Sequence, residues 1–495
     1  MTADWRFEFQ PTDSLPPLAW IANAQHPLIT VRHGLSVRTT DRAFFEGTWV
    51  GPPGLDCVAE ATTVFGSGIV LDGQGPLIVP PAHTLEAVYV VRRDDRVLAS
   101  NSLVGVLVAA GLELVPGADY VSRFHRVSNG LAESPIELPT TGAPVGMYFY
   151  DNLRIVRDGA LSISPKPREA PFTGFEEYAV RLSDALRSAI DNAGGHAPVM
   201  AVSSGYDSTA IAVIAARLGC RRAVTFALGR PRERNDPAAD SGENTARRLG
   251  MHVTVFDRRA YLSLPGEPEA EFLATGMSGE DVVLLAMEQQ LKRSLLITGL
   301  VGGAMWRRGR AKRPDFYRND LSGGSMTEFR LRIDAVHVPI AVFGMIELPS
   351  LQAVARLPEM KPWSIGGIYD QPIPRRIAEE GGIPRGTFAM QKRTATAVMH
   401  LDGEDGLSRS SLASVRQFAA AEGEEFRLLP RIGLARWQRL LILYAHRLRV
   451  SFVVRDLEAR RRRLMHFPPR PGSLLVRWAV SRIRPRYASI APEDG

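Results

Sequence analysis

The sequence predicts an α/β protein. A parallel sheet with helices on both faces is preceded by a β-rich domain and followed by a basic helical region. Three observations carry this reading. Between Val199 and Thr298 short apolar runs alternate with helical ones, the pattern of a sheet covered on both sides. Before residue 168 the apolar runs are short and separated by turn pairs. From Phe426 to Tyr487 sixteen arginines face two acids, Asp456 and Glu458, so this segment carries 16 − 2 = +14 in a chain whose total is +7.

The 495 residues suffice for two or three domains at ~100–200 residues each. Apolar residues at 45% and charged residues at 23% are ordinary for a soluble globular protein. Two cysteines, Cys57 and Cys220, exclude a disulfide framework and a cysteine zinc site. No His/Cys/Asp cluster has metal-ligand spacing; His252 and His337 are isolated and read as structural. Met1 to Trp20 lacks a basic region followed by an apolar stretch. No uncharged run reaches the ~18 residues of a spanning helix. A cytoplasmic protein is therefore expected.

In residues 1–168, Val88–Val91 and Val97–Ala99 flank Asp94-Asp95, and Met147–Tyr150 and Leu153–Val156 flank Asp151-Asn152, with Asp158-Gly159 following. Both pairs read as hairpins, interrupted by a short helix, Leu103 to Ala110. The Pro-rich, charged stretch Ser164–Pro171 reads as a linker and a boundary. Thr173 and Glu176 form a capping-box pattern before a helix to about Ile190, with Tyr178, Leu182, Ala185 and Ala189 at helical spacing.

The alternating part then reads strand Val199–Val202, helix Ser208–Leu218, strand Ala223–Leu228, helix Ser241–Leu249, strand His252–Phe256, helix Glu280–Lys292 and strand Ser294–Thr298. Glu328 to about Met399 reads as mostly helical with proline breaks, 401–425 as a polar connector, and 426–495 as Arg-rich helices. Ligands of parallel sheets bind at the carboxyl ends of the strands, so the loops after Val202, Leu228 and Thr298 are expected to share one site.

The first of these loops, Ser203-Ser204-Gly205-Tyr206-Asp207-Ser208, is small, polar and placed between a buried strand and a helix start. Backbone N–H groups and the helix dipole favour an anion there, and Asp207 is suited to the Mg²⁺ that travels with ATP. It lacks the Gly-Lys-Ser/Thr ending of the nucleoside-triphosphatase loop and the spaced glycines of a dinucleotide fold.

The loop resembles the Ser-Gly-Gly-x-Asp-Ser pyrophosphatase loop of the asparagine-synthetase-like enzymes, relatives of the β-lactam synthetases and lasso-peptide cyclases. Ser203, Gly205, Asp207 and Ser208 match, and Ser204 replaces a glycine. Thr225–Gly229 resembles the family's second strand. Ser241–Gly250 resembles the helix after it, Thr298-Gly299 its next ATP-contacting loop, and Ile383–Arg385 with Gln391-Lys392 its lysine segment. The likeness spans residues ~173–400.

The resemblance implies an ATP-pyrophosphatase (HUP-like) fold and an AMP-forming amide ligase. ATP and Mg²⁺ are the implied cofactors: Asp207 on the metal, Ser203, Ser204, Gly205 and Ser208 on pyrophosphate, Leu228, Thr298 and Gly299 at the adenosine, and Lys392 neutralising charge at the reacting centre. The implied partners are a carboxylate, small or peptidic, and ammonia or an amine. Two departures stand out. Leu300 takes the place of a catalytic Glu and Gly303 that of a second Mg²⁺-binding Asp. The N-terminal domain resembles a degenerate amidotransferase with Thr2 where the family has a nucleophilic Cys, so no glutaminase activity is expected.

Bland roles stand beside these. Asp207 also suits an N-cap, the serines also suit turn-making, and Glu243 suits a first-turn helix acid. Lys392 reads equally as a solvated charge. Arg330 and Arg332 fit either a surface strand or a cleft lining, and Arg375-Arg376 fit a phosphate or an acidic substrate. The C-terminal arginines suit packing on the acidic remainder or an acidic partner, an anionic surface such as the inner membrane with Trp437, Leu440, Leu441 and Tyr444 as apolar face, or, third, nucleic acid. Two further readings of the whole chain are a degenerate nucleotide-binding protein and a nucleic-acid-modifying enzyme with the same loop.

Overall fold

The computed structural model describes residues 4–229, 240–308, 316–318, 321–366, 370–389, 395–397, 399–430 and 468–491, with single helical positions between 434 and 457. Among them the chain is mixed α/β.

Thirteen strands come first: β1 (Arg6–Pro11), β2 (Trp20–Gln25), β3 (Leu28–His33), β4 (Arg38–Thr39), β5 (Ala43–Val50), β6 (Thr63–Asp72), β7 (Gly75–Val79), β8 (Val88–Arg93), β9 (Arg96–Ser100), β10 (Ile136–Leu138), β11 (Val145–Tyr148), β12 (Asn152–Ile155) and β13 (Leu161–Ser164). They build two sheets, ordered β1-β3-β2-β9-β8-β11-β10 and β13-β12-β7-β6-β5-β4. Their facing sides close on one apolar layer with Trp20, Val31, Phe44, Ile69, Ile78, Val90 and Leu153, as period-2 alternation requires. The outer face of the first sheet carries α1 (Leu103–Ala109), capped by Ser102, which accepts from Gly105 N; α2 (Tyr120–His125) follows before β10.

The β8–β9 hairpin forms as expected, with Asp94 at φ 52° in its turn. The second expected hairpin does not. β11 pairs with β8 and β10 in one sheet, while β12 pairs with β7 and β13 in the other. The chain crosses between sheets at Tyr150, whose φ of 72° turns the backbone and whose N–H donates to the Pro81 carbonyl at 3.0 Å. Period-2 alternation marks a strand without marking which sheet receives it. The hairpin instead closes one strand later, at Asp158-Gly159 between β12 and β13.

The Ser164–Pro171 stretch is not loose. Lys166 is buried and donates to Asn152 Oδ1; burial pushes its ammonium down to about 7. Helix α3 (Phe175–Asp191) follows and buries Tyr178, Leu182, Ala185 and Ala189 as its spacing predicts. Its cap is shifted by one residue: Gly174 is the N-cap, and Thr173 bonds Glu177 rather than Glu176.

The second sheet system is wholly parallel: β14 (Ala197–Ala201), β15 (Arg222–Phe226), β16 (His252–Phe256), β17 (Ser294–Ile297) and β18 (Val336–Val338), ordered β16-β15-β14-β17-β18. Helices α4 (Tyr206–Arg217) and α5 (Glu243–Arg248) connect the first three strands. The order runs outward from β14 to β16, then returns to β17 beside β14. The switch point therefore lies between β14 and β17. Edge strand β18 packs on β5 and β6, joining the sandwich to the parallel sheet.

Several expectations need correction. β18 lies in a stretch expected to be helical; three residues are too few for a strand pattern. Glu280–Lys292 is a 3₁₀ turn, Glu280–Met287, followed by Glu288–Leu291. Asp281 pins its start by accepting from Gly323 N, Ser325 N and Ser325 Oγ. The expected connector 401–425 contains helix Arg409–Ala421, capped by Ser408, whose narrow buried stripe of Val415 and Ala419 gives little periodic signal.

Arg330 lies on neither a surface strand nor a cleft. It sits in helix Thr327–Ile333, 4% exposed, bonding Glu46 at 2.7 and 3.0 Å and Glu86 at 2.6 Å. Its neighbour Arg332 pairs with Glu271 and Glu288.

Helix Pro469–Ile483 packs into the core through Leu475, Trp478 and Ala479. Arg477 pairs with Glu422 and Glu424, Arg482 with Glu267, Arg484 with Glu113, and Arg486 with Glu271. These arginines pack on acids of the same chain. Arg460–Arg463 lie outside the described residues, and Trp437, Leu440, Leu441 and Tyr444 are exposed. Among the described residues no helix is long and apolar enough to cross a membrane.

Candidate functional site

The Ser203–Ser208 loop leaves the carboxyl end of β14, the central strand, at the switch point. Gly205, extended at φ −77°, is the N-cap of α4, which starts at Tyr206. Asp207 therefore lies in the first helical turn rather than at the cap, where its charge complements the dipole.

The serine hydroxyls organise the turn itself. Ser208 Oγ accepts from Ser203 N at 3.0 Å and lies 2.8 Å from Ser203 Oγ, and Gly205 N donates to Ser203 Oγ at 3.2 Å. Ser204 Oγ donates to Asp240 Oδ1 at 2.7 Å, and Ser204 N to the Asp240 carbonyl at 3.1 Å. Ser203 forms an antiparallel bridge to Ser241. Asp240, buried beside the loop, is a site residue that sequence reasoning missed. It belongs to no motif, and only its place just before Ser241 hinted at it.

The loop after β17 meets this turn. Thr298 N donates to the Val338 carbonyl at 3.0 Å, and Thr298 Oγ1 lies 2.9 Å from His337 Nε2. His337 is fully buried, and burial lowers its imidazole to about 3, so it is neutral. A Cβ on Gly299 would stand 2.6 Å from both Asp207 C and Ser208 N; one on Gly302 would stand 2.7 Å from Asp207 Cγ. Only glycine permits this approach. Val301 between them is held at φ 72°, a strained conformation for a β-branched residue.

Position 303 is different. A Cβ there would lie 3.5 Å from Asp207 Oδ2 and 3.7 Å from Gln371 Nε2, so Gly303 leaves space between the two side chains. Gln371 is 5% exposed, and its Oε1 has no hydrogen-bond partner among the described residues. Leu300 packs toward Gly323 and Leu85.

Of the expected site residues, Ser203, Ser204, Gly205, Asp207, Ser208, Thr298 and Gly299 come together. Leu228 is 54% exposed just past the end of β15, the strand beside β14. Lys392 lies outside the described residues, as does Thr2. The chain leading to Lys392 reaches the site, since Ala389 N donates to the Ser204 carbonyl at 2.6 Å.

Arg375 and Arg376 prove to be tethers. Arg375 donates to Tyr206 Oη at 2.6 Å and to Glu379 at 3.0 Å, and stacks between Tyr206 and Phe388. Arg376 holds Glu176 and Glu380 and lies 3.9 Å over Phe175. Glu243 pairs with Arg247, a first-turn helix acid.

Among the described residues no group of three or more His, Cys, Asp or Glu side chains could hold a metal. Asp207 remains as one carboxylate with a methyl-sized gap beside it at Gly303, and a single carboxylate suits an ion that completes its shell with phosphate oxygens and water. No family model matches the chain, and a search of the curated proteins finds no match.

Proposed function

We propose that the chain is an ATP-dependent, AMP-forming amide ligase of the asparagine-synthetase type with an ATP-pyrophosphatase (HUP-like) sheet. It would activate a carboxylate by adenylation for attack by ammonia or an amine. One observation carries the reading: the loops after β14 and β17 diverge at the switch point and press together through Gly299 and Gly302 around Asp207. A parallel sheet collects its ligands at that place, and the Ser-x-Gly-x-Asp-Ser order selects cleavage between the α- and β-phosphates.

In this reading the first turn of α4 faces the leaving pyrophosphate. Asp207 holds Mg²⁺, which supplies charge neutralisation when bound. The ends of β15 and β17, with Leu228, Thr298 and Gly299, seat the adenosine. Lys392, outside the described residues, would neutralise charge at the reacting centre. The N-terminal sandwich supplies no ammonia from glutamine, so the nitrogen comes from solution or from an amine substrate.

A second reading has its own observation. Leu300 faces apolar neighbours and Gly303 leaves a gap, which suits a member that binds nucleotide without turning it over. Wild type and Asp207→Ala, screened with ATP over carboxylates and amines for AMP and pyrophosphate, test the first. The expected loss in the variant is at least about a hundredfold. Equal product formation by the two proteins defeats the ligase; nucleotide binding with no turnover favours the second reading.

A further inference from the structure

At the amino ends of β14, β17 and β18, on the far side of the sheet from Asp207, lies a cleft of about 240 Å³. The sandwich contributes Leu18, Ser36 and Arg38; the parallel-sheet side contributes Gly194, Gly195, His196, Arg293 and Asp334. The sequence reading singled out none of these residues.

Its charges do not balance. Asp334 is fully engaged: Oδ1 meets His196 Nε2 at 3.0 Å, and Oδ2 accepts from Ser36 Oγ at 2.9 Å and faces Arg293 Nε at 3.5 Å. His196 Nδ1 lies 2.8 Å from the Ala193 carbonyl. Both ring nitrogens thus face acceptors, so both carry protons and the ring is a cation. Three cations, Arg38, His196 and Arg293, then line the cleft with one carboxylate, Asp334; Arg38 also feels Glu46 from behind, but Arg330 already holds that carboxylate, so positive charge is in excess on the cleft side.

The donors are also in surplus. Arg293 is 79% exposed at its side chain, and beyond the long contact to Asp334 its guanidinium has no acceptor among the described residues. Gly194 and Gly195 sit at φ 62° and 89° in succession, and neither N–H donates to an acceptor among the described residues. Successive backbone N–H groups in such a turn make an anion-binding concavity. Arg38 is held rigidly behind them by the Asn192 and Gly47 carbonyls, 5.1 Å over Trp49.

We propose that this cleft binds a small dianion, a dicarboxylate or a phosphate, between Arg293 and Arg38 and against the Gly194–Gly195 backbone. The ligand would bridge the sandwich and the parallel sheet. The site is independent of the ligase reading.

The test is titration calorimetry at constant ionic strength with inorganic phosphate and, separately, succinate. Wild type, Asp207→Ala, Arg293→Ala and Arg293→Glu are compared. Arg293 is exposed, so its variants fold. One saturable site is expected, unchanged in Asp207→Ala, weakened at least about tenfold in Arg293→Ala and abolished in Arg293→Glu. Whichever anion binds identifies the ligand chemistry. No saturable binding of either anion, binding that ignores Arg293, or binding that is lost with Asp207 overturns the proposal.

Discussion

Gly299 lies against the peptide that joins Asp207 to Ser208, with room for a hydrogen and none for a methyl group. The ends of two neighbouring strands are thereby locked into one surface. Gly299→Ala forces either β17 or the first turn of α4 to move, because the atoms its methyl group would meet, Asp207 C and O and Ser208 N, belong to the backbone. Overpacking of this kind costs about 1–3 kcal/mol. The variant should lose that much stability in urea melts and lose nucleotide affinity as well. Unchanged affinity would show that the loops need not touch.

Gln371 stands across the Gly303 gap from Asp207, and its carbonyl oxygen has no partner among the described residues. A buried acceptor without a partner is costly unless a ligand uses it. Under the ligase reading Gln371→Leu weakens Mg²⁺-dependent pyrophosphate binding about tenfold while leaving apo stability unchanged or improved. The readout is calorimetry with and without Mg²⁺. An apo protein that loses stability, with binding intact, would assign Gln371 to the fold alone.

Much of the parallel sheet was legible because β17 and the middles of β14 and β15 are buried and read as plain apolar runs. β16, a mostly exposed edge strand, still appears with the expected limits, while α4 begins at Tyr206, two residues before the expected Ser208, so that Asp207 falls in the helix. What the sequence concealed was long-range. Arg330 looked like half of an alternating strand because Phe329, Leu331 and Ile333 flank it, yet its partners Glu46 and Glu86 come from far along the chain. Asp240 and Gln371 carry no motif and become site residues only by proximity. β11 and β12 looked like one hairpin because nothing local distinguishes a turn from a crossing between sheets.

The Glu46–Arg330–Glu86 cluster also predicts a large stability effect. All three side chains are buried, and Glu46 further accepts from Ser67 Oγ, which accepts from Trp20 Nε1. Burial raises the Glu86 carboxyl despite the guanidinium beside it. Arg330→Met strands two carboxyl groups in the core at a cost of about 3–5 kcal/mol. Equilibrium denaturation would measure it, and a loss below about 1 kcal/mol would mean the cluster is hydrated. Replacing all three together with apolar residues should recover most of the loss.

His196 gives the fold a pH dependence of known sign. Burial alone would lower its imidazole, but the hydrogen bonds to Asp334 and the Ala193 carbonyl outweigh burial and the nearby Arg38, so the ring titrates above its ordinary range. Arg293 also faces the pair through Asp334. A raised folded value means the stabilisation is complete below the unfolded value near 6.5 and disappears as pH rises through the folded one. Wild type should therefore lose stability relative to His196→Gln as pH rises above about 6.5, read as the difference in urea midpoint. Because Asp334 is the same residue that Ser36 of the sandwich binds, the loss should appear in the joint between the two sheet systems, as faster hydrogen exchange at the amino ends of β14 and β18. Parallel melting curves for the two proteins across that range would mean that the ring titrates in the folded chain as it does in the unfolded one, and that Asp334 gives the imidazolium no net stabilisation.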